Sequence, residues 1–205
     1  MGRSPKPSSA DLKTAILSAA RARFANEGYE ATSMRHIAEE AGCSATAIYI
    51  YFSSKEALMD ALVLEDFKSL ATAFQKLGRE RDPIQRLRKM VHAFMVFGVQ
   101  YPNHYRLIFM TRKPDLHSPV DDRGRDTPSV NPYLGLLKTL EEATLKKRFR
   151  EELKDVDLIA QTIFTAIHGV LALHTVQFRD RWILWRPLKA RVDFMLDALI
   201  EGLKA

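Results

Sequence analysis

The chain has 205 residues, of which 46% are hydrophobic, 27% charged and 9% aromatic. That mixture buries a sizeable core and excludes a disordered tail, a collagen-like rod or a small disulfide scaffold. Lys and Arg number 31 against 25 Asp and Glu, giving a net charge of +6, a mild bias toward polyanions that many basic enzymes share.

Residues 1–9 are polar, contain Arg3, Lys6 and two prolines, and are expected to form a flexible basic arm. They lack the apolar stretch of a secretory signal, and no run in the chain approaches about 18 consecutive apolar residues, so no export, anchor or membrane partner is expected. The single cysteine, Cys43, cannot form an internal disulfide and fits a reducing compartment, so the expected location is cytoplasmic.

Helical periodicity takes over from there. Ser8-Ser9-Ala10-Asp11 reads as a capping box. Leu12, Ile16, Ala19, Ala20 and Phe24 follow on one face, and Gly28 is placed to end the helix in a left-handed conformation. Two short helices are expected at Ser33–Glu40 and Ala45–Tyr51, separated by Ala41-Gly42-Cys43-Ser44. Ser53-Ser54-Lys55-Glu56 reads as a second capping box opening a long helix through Leu58, Leu62, Phe67, Leu70 and Phe74. Asp82-Pro83 starts a helix that runs to about Tyr101. Pro102 ends it and starts a short one over Asn103–Met110.

Residues 112–131 hold three prolines, one glycine and almost no apolar side chain, the composition of a long loop. Helix is expected again over Leu134–Phe149, with Lys146, Lys147 and Arg148 in a basic last turn that suits the helix dipole. The pattern over Asp157–Phe178 is apolar nearly all round, which predicts a helix covered on most sides. A final amphipathic helix spans Pro187–Leu203. With no hairpin signal, no phosphate-binding glycine loop and no repeat, the predicted fold class is all-α.

The stretch from Thr32 to Lys55 carries the most chemistry. Two short helices meet at a tight turn around Gly42, with Ile37, Ala38 and Ile48 facing inward against the first helix, an arrangement that is a helix-turn-helix. Its second helix is too short to matter as core, but its outward residues suit the major groove of DNA. Taken singly, Thr32 and Ser44 serve equally well as helix caps, Tyr49 and Phe52 as packing, and Lys55 as solvated surface.

The ordered run Thr32, Ile37-Ala38, Ala41-Gly42-Cys43-Ser44, Ile48-Tyr49-Ile50-Tyr51-Phe52 and Ser54-Lys55-Glu56-Ala57-Leu58, preceded by Phe24-Ala25-Asn26-Glu27-Gly28-Tyr29, resembles the DNA-binding domain of the TetR/AcrR family of transcriptional regulators. The resemblance implies a flexible arm at 1–9, a three-helix DNA-binding domain at 10–70 and a helical effector-binding and dimerisation domain at 71–205. It implies that Thr32, Ser33, Arg35, Ser44, Tyr49, Tyr51 and Lys55 meet the DNA backbone, Arg35 also being within reach of a base edge, and that Ala45, Thr46 and Ile50 face the bases. Thr46 stands where the family often has glycine. With alanine at 45 and 47, thymine-methyl contacts and DNA shape are expected to contribute to selectivity.

Tyr101-Pro102-Asn103-His104-Tyr105-Arg106-Leu107-Ile108-Phe109 and Ile167-His168-Gly169-Val170-Leu171 look like a C-terminal subtype with a Trp-x-x-x-His-Gly pattern, Phe164 standing at the tryptophan position. An apolar effector pocket lined by Phe94, Phe97, Tyr101, Tyr105, Phe109, Met110, Phe164, His168 and His174 is then expected, with Arg106 available to an anionic ligand. A homodimer interface is expected at Leu171, His174, Phe178, Leu188, Val192, Met195, Leu196 and Leu199. The sequence contains no metal-binding motif, implies no cofactor and offers no nucleophile–base set. The implied function is a DNA-binding regulator, most simply a repressor that a small molecule releases from a palindromic double-stranded operator. Control by a protein partner and less specific DNA binding are the alternatives.

Overall fold

The computed structural model describes residues 9–110, 127–177 and 183–204. The expected basic arm apart from Ser9, the expected loop up to residue 126, and Phe178 lie outside the described residues. Within them the chain forms α1 (Ser9–Glu27), α2 (Met34–Glu40), α3 (Ala45–Tyr51), α4 (Lys55–Leu77), α5 (Pro83–Gln100), α6 (Pro102–Phe109), α7 (Pro132–Leu145), α8 (Val156–Gln177) and α9 (Leu188–Leu203). The all-α expectation holds: there is no strand among the described residues, only an isolated antiparallel bridge between Phe149 and Lys204.

Local chemistry sets most of the boundaries. Gly28 adopts φ +88 and ends α1 in the left-handed conformation expected of it. Asp82 caps α5, its carboxylate accepting from Ile84 N–H at 3.0 Å, with Pro83 in the first turn. The second capping box needs correcting, because it is Ser54 rather than Ser53 whose hydroxyl accepts from Ala57 N–H, at 3.1 Å.

The seventh helix also departs from its pattern. It begins at Pro132, capped by Asn131, and ends at Leu145 rather than Phe149. Lys147 takes φ +53 and Arg148 N–H returns to Ala143 O at 2.9 Å, which closes the helix a turn early. Lys146, Lys147 and Arg148 therefore follow the last turn instead of forming it. Two of them bind elsewhere, Lys146 to Glu142 and Arg148 to Asp82. Phe149 is freed to bury its ring.

The chain divides into two compact units. The first holds α1, α2, α3, α4 up to Asp66, and α6 from Asn103. Its core consists of Ile16, Ala20 and Phe24 of α1, Ile37 of α2, Ile48 of α3, Leu58 and Leu62 of α4, and Tyr105 and Leu107 of α6. The second unit holds the rest of α4 with α5, α7, α8 and α9. There α8 packs on α5, α7 and α9 through Ile159, Ile163, Ile167 and Leu171. By length and composition alone α8 would cross a bilayer, but this face is taken up by its neighbours. The covering is incomplete, since Leu158, Phe164 and Leu173 remain exposed. Arg86 is buried in the same unit, bonded to Glu142 at 2.6 Å and to Glu80 O.

Candidate nucleic-acid interface

Three short-range devices build the reading head. After Gly28 the chain turns through 29–33, where the Thr32 hydroxyl donates to Gly28 O at 2.8 Å and Ser33 caps α2 by accepting from His36 N–H at 3.2 Å. At the other end of α2, Gly42 adopts φ +71 and Cys43 N–H reaches Ala38 O at 2.9 Å, turning the chain sharply into α3. Ser44 then caps α3, accepting from Ala47 N–H at 3.1 Å.

Packing decides which face of α3 stays outside. Ile48 is fully buried and Phe52 nearly so. With that side fixed, a period of 3.6 residues turns Ala45, Thr46, Tyr49 and Ile50 to solvent. Tyr49 is 53% and Ile50 79% exposed, large apolar areas to leave in water on a seven-residue helix. Tyr51 is half-buried, and Ser33 and Ser44 are exposed. Arg35 projects from α2 with 78% of its side chain exposed, paired only on the surface with Glu39 at 3.0 Å; such a pair contributes about 0.3–0.5 kcal/mol and yields readily to a phosphate. Arg23 ties α1 to α2 through Glu40 at 2.6 Å.

Two residues expected at the DNA backbone are committed elsewhere. Thr32 is 2% exposed, and its hydroxyl serves the turn through Gly28 O. Lys55 Nζ donates to Tyr29 O at 2.8 Å and Thr32 O at 3.0 Å, and lies 4.3 Å from the centre of the Tyr29 ring. The ring is held in turn by its hydroxyl, which donates to Glu56 at 2.9 Å. Burial, then this bond to Glu56, pushes the Tyr29 phenol well above its usual range. Glu56 is held below the ordinary carboxylate range, first by backbone N–H donation and then by Ser54 and Tyr29. Lys55 is therefore a clip that locks the turn preceding α2. The signal for it, a lysine after a serine cap, looks the same in sequence as a surface cation.

Residues 16–62 match the family described as bacterial regulatory proteins, tetR family, and residues 87–199, more than half of the chain, match the tetracyclin repressor-like C-terminal domain. The chain belongs to the TetR family. The chain is 39% identical over 95 residues to the HTH-type transcriptional activator FasR of Mycolicibacterium smegmatis, covering 46% of this chain and 43% of that protein. It is 37% identical over 73 residues to the HTH-type transcriptional regulator UidR of Escherichia coli, covering 36% of this chain and 34% of that one. It thus spans less than half the length of either relative. Both carry the names of regulators, not of enzymes. Among solved structures, the transcriptional regulator FadR from Bacillus subtilis in complex with stearoyl-CoA aligns with a TM-score of 0.77 at 21% identity, over 93% of this chain and 98% of that one, a likeness of fold.

In the second unit the expected effector residues are only partly brought together. The rings of Phe94, Phe164 and His168 meet, with centroids 6.0, 5.3 and 4.4 Å apart, and Tyr133, which periodicity did not single out, stands 6.5 Å from Phe164. Burial lowers the His168 imidazole to about 4, and His174 is lowered by burial and then by Arg191. Phe97 stacks on Tyr101 at 5.9 Å. Tyr105, Phe109 and Met110 belong to the first unit. A cavity of about 350 Å³ between α4, α5 and α7, lined by Ala71, Phe74, Met90, Gly135 and Thr139, uses none of the expected residues.

The expected dimer interface needs a correction as well. Leu171, Val192 and Leu196 are buried inside their own subunit, because they form the contact of α8 and α9 with the rest of the bundle. His174, Leu188, Met195 and Leu199 are half-buried. Phe194, which was not expected there, is 78% exposed.

Proposed function

We propose that the chain is a sequence-specific DNA-binding transcriptional regulator, a repressor that acts as a cytoplasmic homodimer and is released from its operator by a small-molecule effector. The observation that carries this reading is the outer face of α3: Tyr49 and Ile50 stand in water beside Ala45 and Thr46, with no packing reason to do so. A small, uncharged, partly apolar face suits thymine methyl groups in a major groove. Ser33, Arg35, Ser44, Tyr49 and Tyr51 are assigned to phosphates and Ala45, Thr46 and Ile50 to base edges. Thr32 and Lys55 act indirectly by fixing the turn before α2.

A second copy is supported by the exposed Phe194 and by an apolar hollow of about 290 Å³ lined by Leu158, Ile163, Ala198, Leu199 and Leu203. Paired reading heads are what half-sites about 34–36 Å apart require. An effector that favours one head spacing shifts operator affinity by its differential affinity for the two states. The stearoyl-CoA held by the Bacillus subtilis protein illustrates a small molecule bound on this fold. The Mycolicibacterium relative is named an activator, so a reporter assay at the native promoter decides the sign of control.

Selection of bound fragments from a genomic library tests the reading. One palindromic motif is expected, with Ile50→Ala weakening its binding about tenfold or more and relaxing preference at one or two base pairs. Equal binding of random duplex with a steep salt dependence would instead identify a non-specific binder.

A further inference from the structure

α3 reads Ala45-Thr46-Ala47-Ile48-Tyr49-Ile50-Tyr51, with no Arg, Lys, His, Asn, Gln, Asp or Glu. In the direct code of the major groove, guanine is picked out by Arg or Lys, adenine by Asn or Gln, and cytosine by an acidic side chain. None of these is available on α3. Arg35, which has the donors to select guanine, stands on α2 beside Glu39 and is assigned to a phosphate. Lys55 is taken up by two carbonyls before α2. What the outer face offers to base edges is the Ile50 side chain, 79% exposed, with the Ala45 methyl and the Thr46 hydroxyl.

An aliphatic side chain registers one feature among the base pairs, a methyl group at C5 of the pyrimidine. Thymine carries that methyl, and cytosine acquires it on methylation, at the same place in the groove. The two pyrimidines differ beside it at position 4, where thymine presents an acceptor and 5-methylcytosine an amino donor. Ile50 has no polar atom with which to tell them apart. A hydroxyl donates or accepts, so Thr46 accommodates either. The side chain is also well held. Its β-branch leaves one main χ1 rotamer in a helix, and α3 is fixed by the buried Ile48 and Phe52 and by the Ser44 cap. Covering a methyl takes apolar area on both partners out of water, a gain that a bare C5–H supplies only in small part.

We infer that α3 reads the C5 methyl of a pyrimidine rather than the base that carries it, so that 5-methylcytosine replaces thymine opposite Ile50 and cytosine methylation within a half-site strengthens operator binding. The inference rests on the DNA-binding reading of α3 and adds a ligand class to it, duplex carrying a 5-methylpyrimidine in each half-site.

The affinity of the full chain for a duplex selected from the genome tests it, with each thymine of the motif replaced in turn, in both half-sites, by deoxyuridine, which removes the methyl alone. Opposite Ile50 the replacement weakens binding about fourfold for each half-site, and about tenfold or more for the two together. A 5-methylcytosine–guanine pair at that position binds within about threefold of thymine–adenine, and unmethylated cytosine–guanine binds as weakly as deoxyuridine–adenine. Ile50→Ala, made at an exposed position that leaves the core untouched, brings the ratio between thymine and deoxyuridine duplexes to about twofold or less. That step separates a methyl contact from a change in DNA shape. Deoxyuridine tolerated at every position, a ratio that survives in Ile50→Ala, or 5-methylcytosine bound no better than cytosine overturns the inference and leaves the DNA-binding reading in place. If the wild type selects no duplex, the DNA-binding reading fails and the inference fails with it.

Discussion

α3 and α9 are both amphipathic, and the two helices dispose of their apolar residues in opposite ways. α3 buries Ile48 and leaves Tyr49 and Ile50 in water, whereas α9 buries Val192, Leu196 and Ile200 and leaves Phe194 outside. On α3 the exposed apolar residues sit beside two helix caps and a glycine turn that hold them rigidly. On α9 a single large ring stands apart from a stripe that is spent on the subunit's own core. An apolar stripe thus reports that a face is covered, without saying by what, and outward apolar residues report function only when the local geometry holds them there.

The largest way to break this contrast is Leu196→Ala. A fully buried leucine is lost to a cavity, so unfolding free energy in denaturant should drop by about 2–5 kcal/mol. Phe194→Ser, two residues away on the exposed side, should change single-chain stability by no more than about 0.5 kcal/mol while shifting the light-scattering mass toward the monomer. A large stability loss in Phe194→Ser would show that the α9 faces are assigned the wrong way round.

Lys55→Met sharpens the reading-head side. It strands Thr32 O and leaves Tyr29 O with only the Thr32 N–H at 3.3 Å, and the expected cost is about 1–3 kcal/mol of stability. Because the ammonium is already occupied, the salt dependence of duplex binding should keep its slope. A slope smaller by about one unit would instead return Lys55 to a phosphate.

A further effect concerns pH. His168 titrates near 4 in the folded protein, below the value of about 6.5 for an unburied imidazole. On acidification the unfolded chain takes up the proton first, so stability contributed by the neutral buried ring is intact above about 6.5 and is lost as pH falls toward 4. His168→Phe should flatten the fall of Tm over that interval; an unaltered slope would place the imidazole in solvent.

Much of this was legible before any coordinates. The caps Ser33, Ser44 and Asp82 and the breakers Gly28 and Gly42 act within a few residues of themselves, so the boundaries of α2, α3 and α5 follow from local chemistry. The residues of the exposed α3 face were implied by the resemblance to the TetR family. α7 was read four residues too long because nothing local announces Lys147 at φ +53; the turn is accompanied by Phe149 burying its ring and by its bridge to Lys204. Tyr133 was missed as a neighbour of Phe164 because the two lie on different helices.

The amino-acid order alone determined the helical segments and a helix-turn-helix, since these depend on bonds and periodicities shorter than two turns. Tertiary structure alone decided that Lys55 and Thr32 hold the turn before α2, that Leu171, Val192 and Leu196 are core, and that Asp66 gathers Arg21 and His104. Each of these depends on atoms that are distant in sequence, and a side chain's role is set by whichever partner first satisfies its charge or covers its surface.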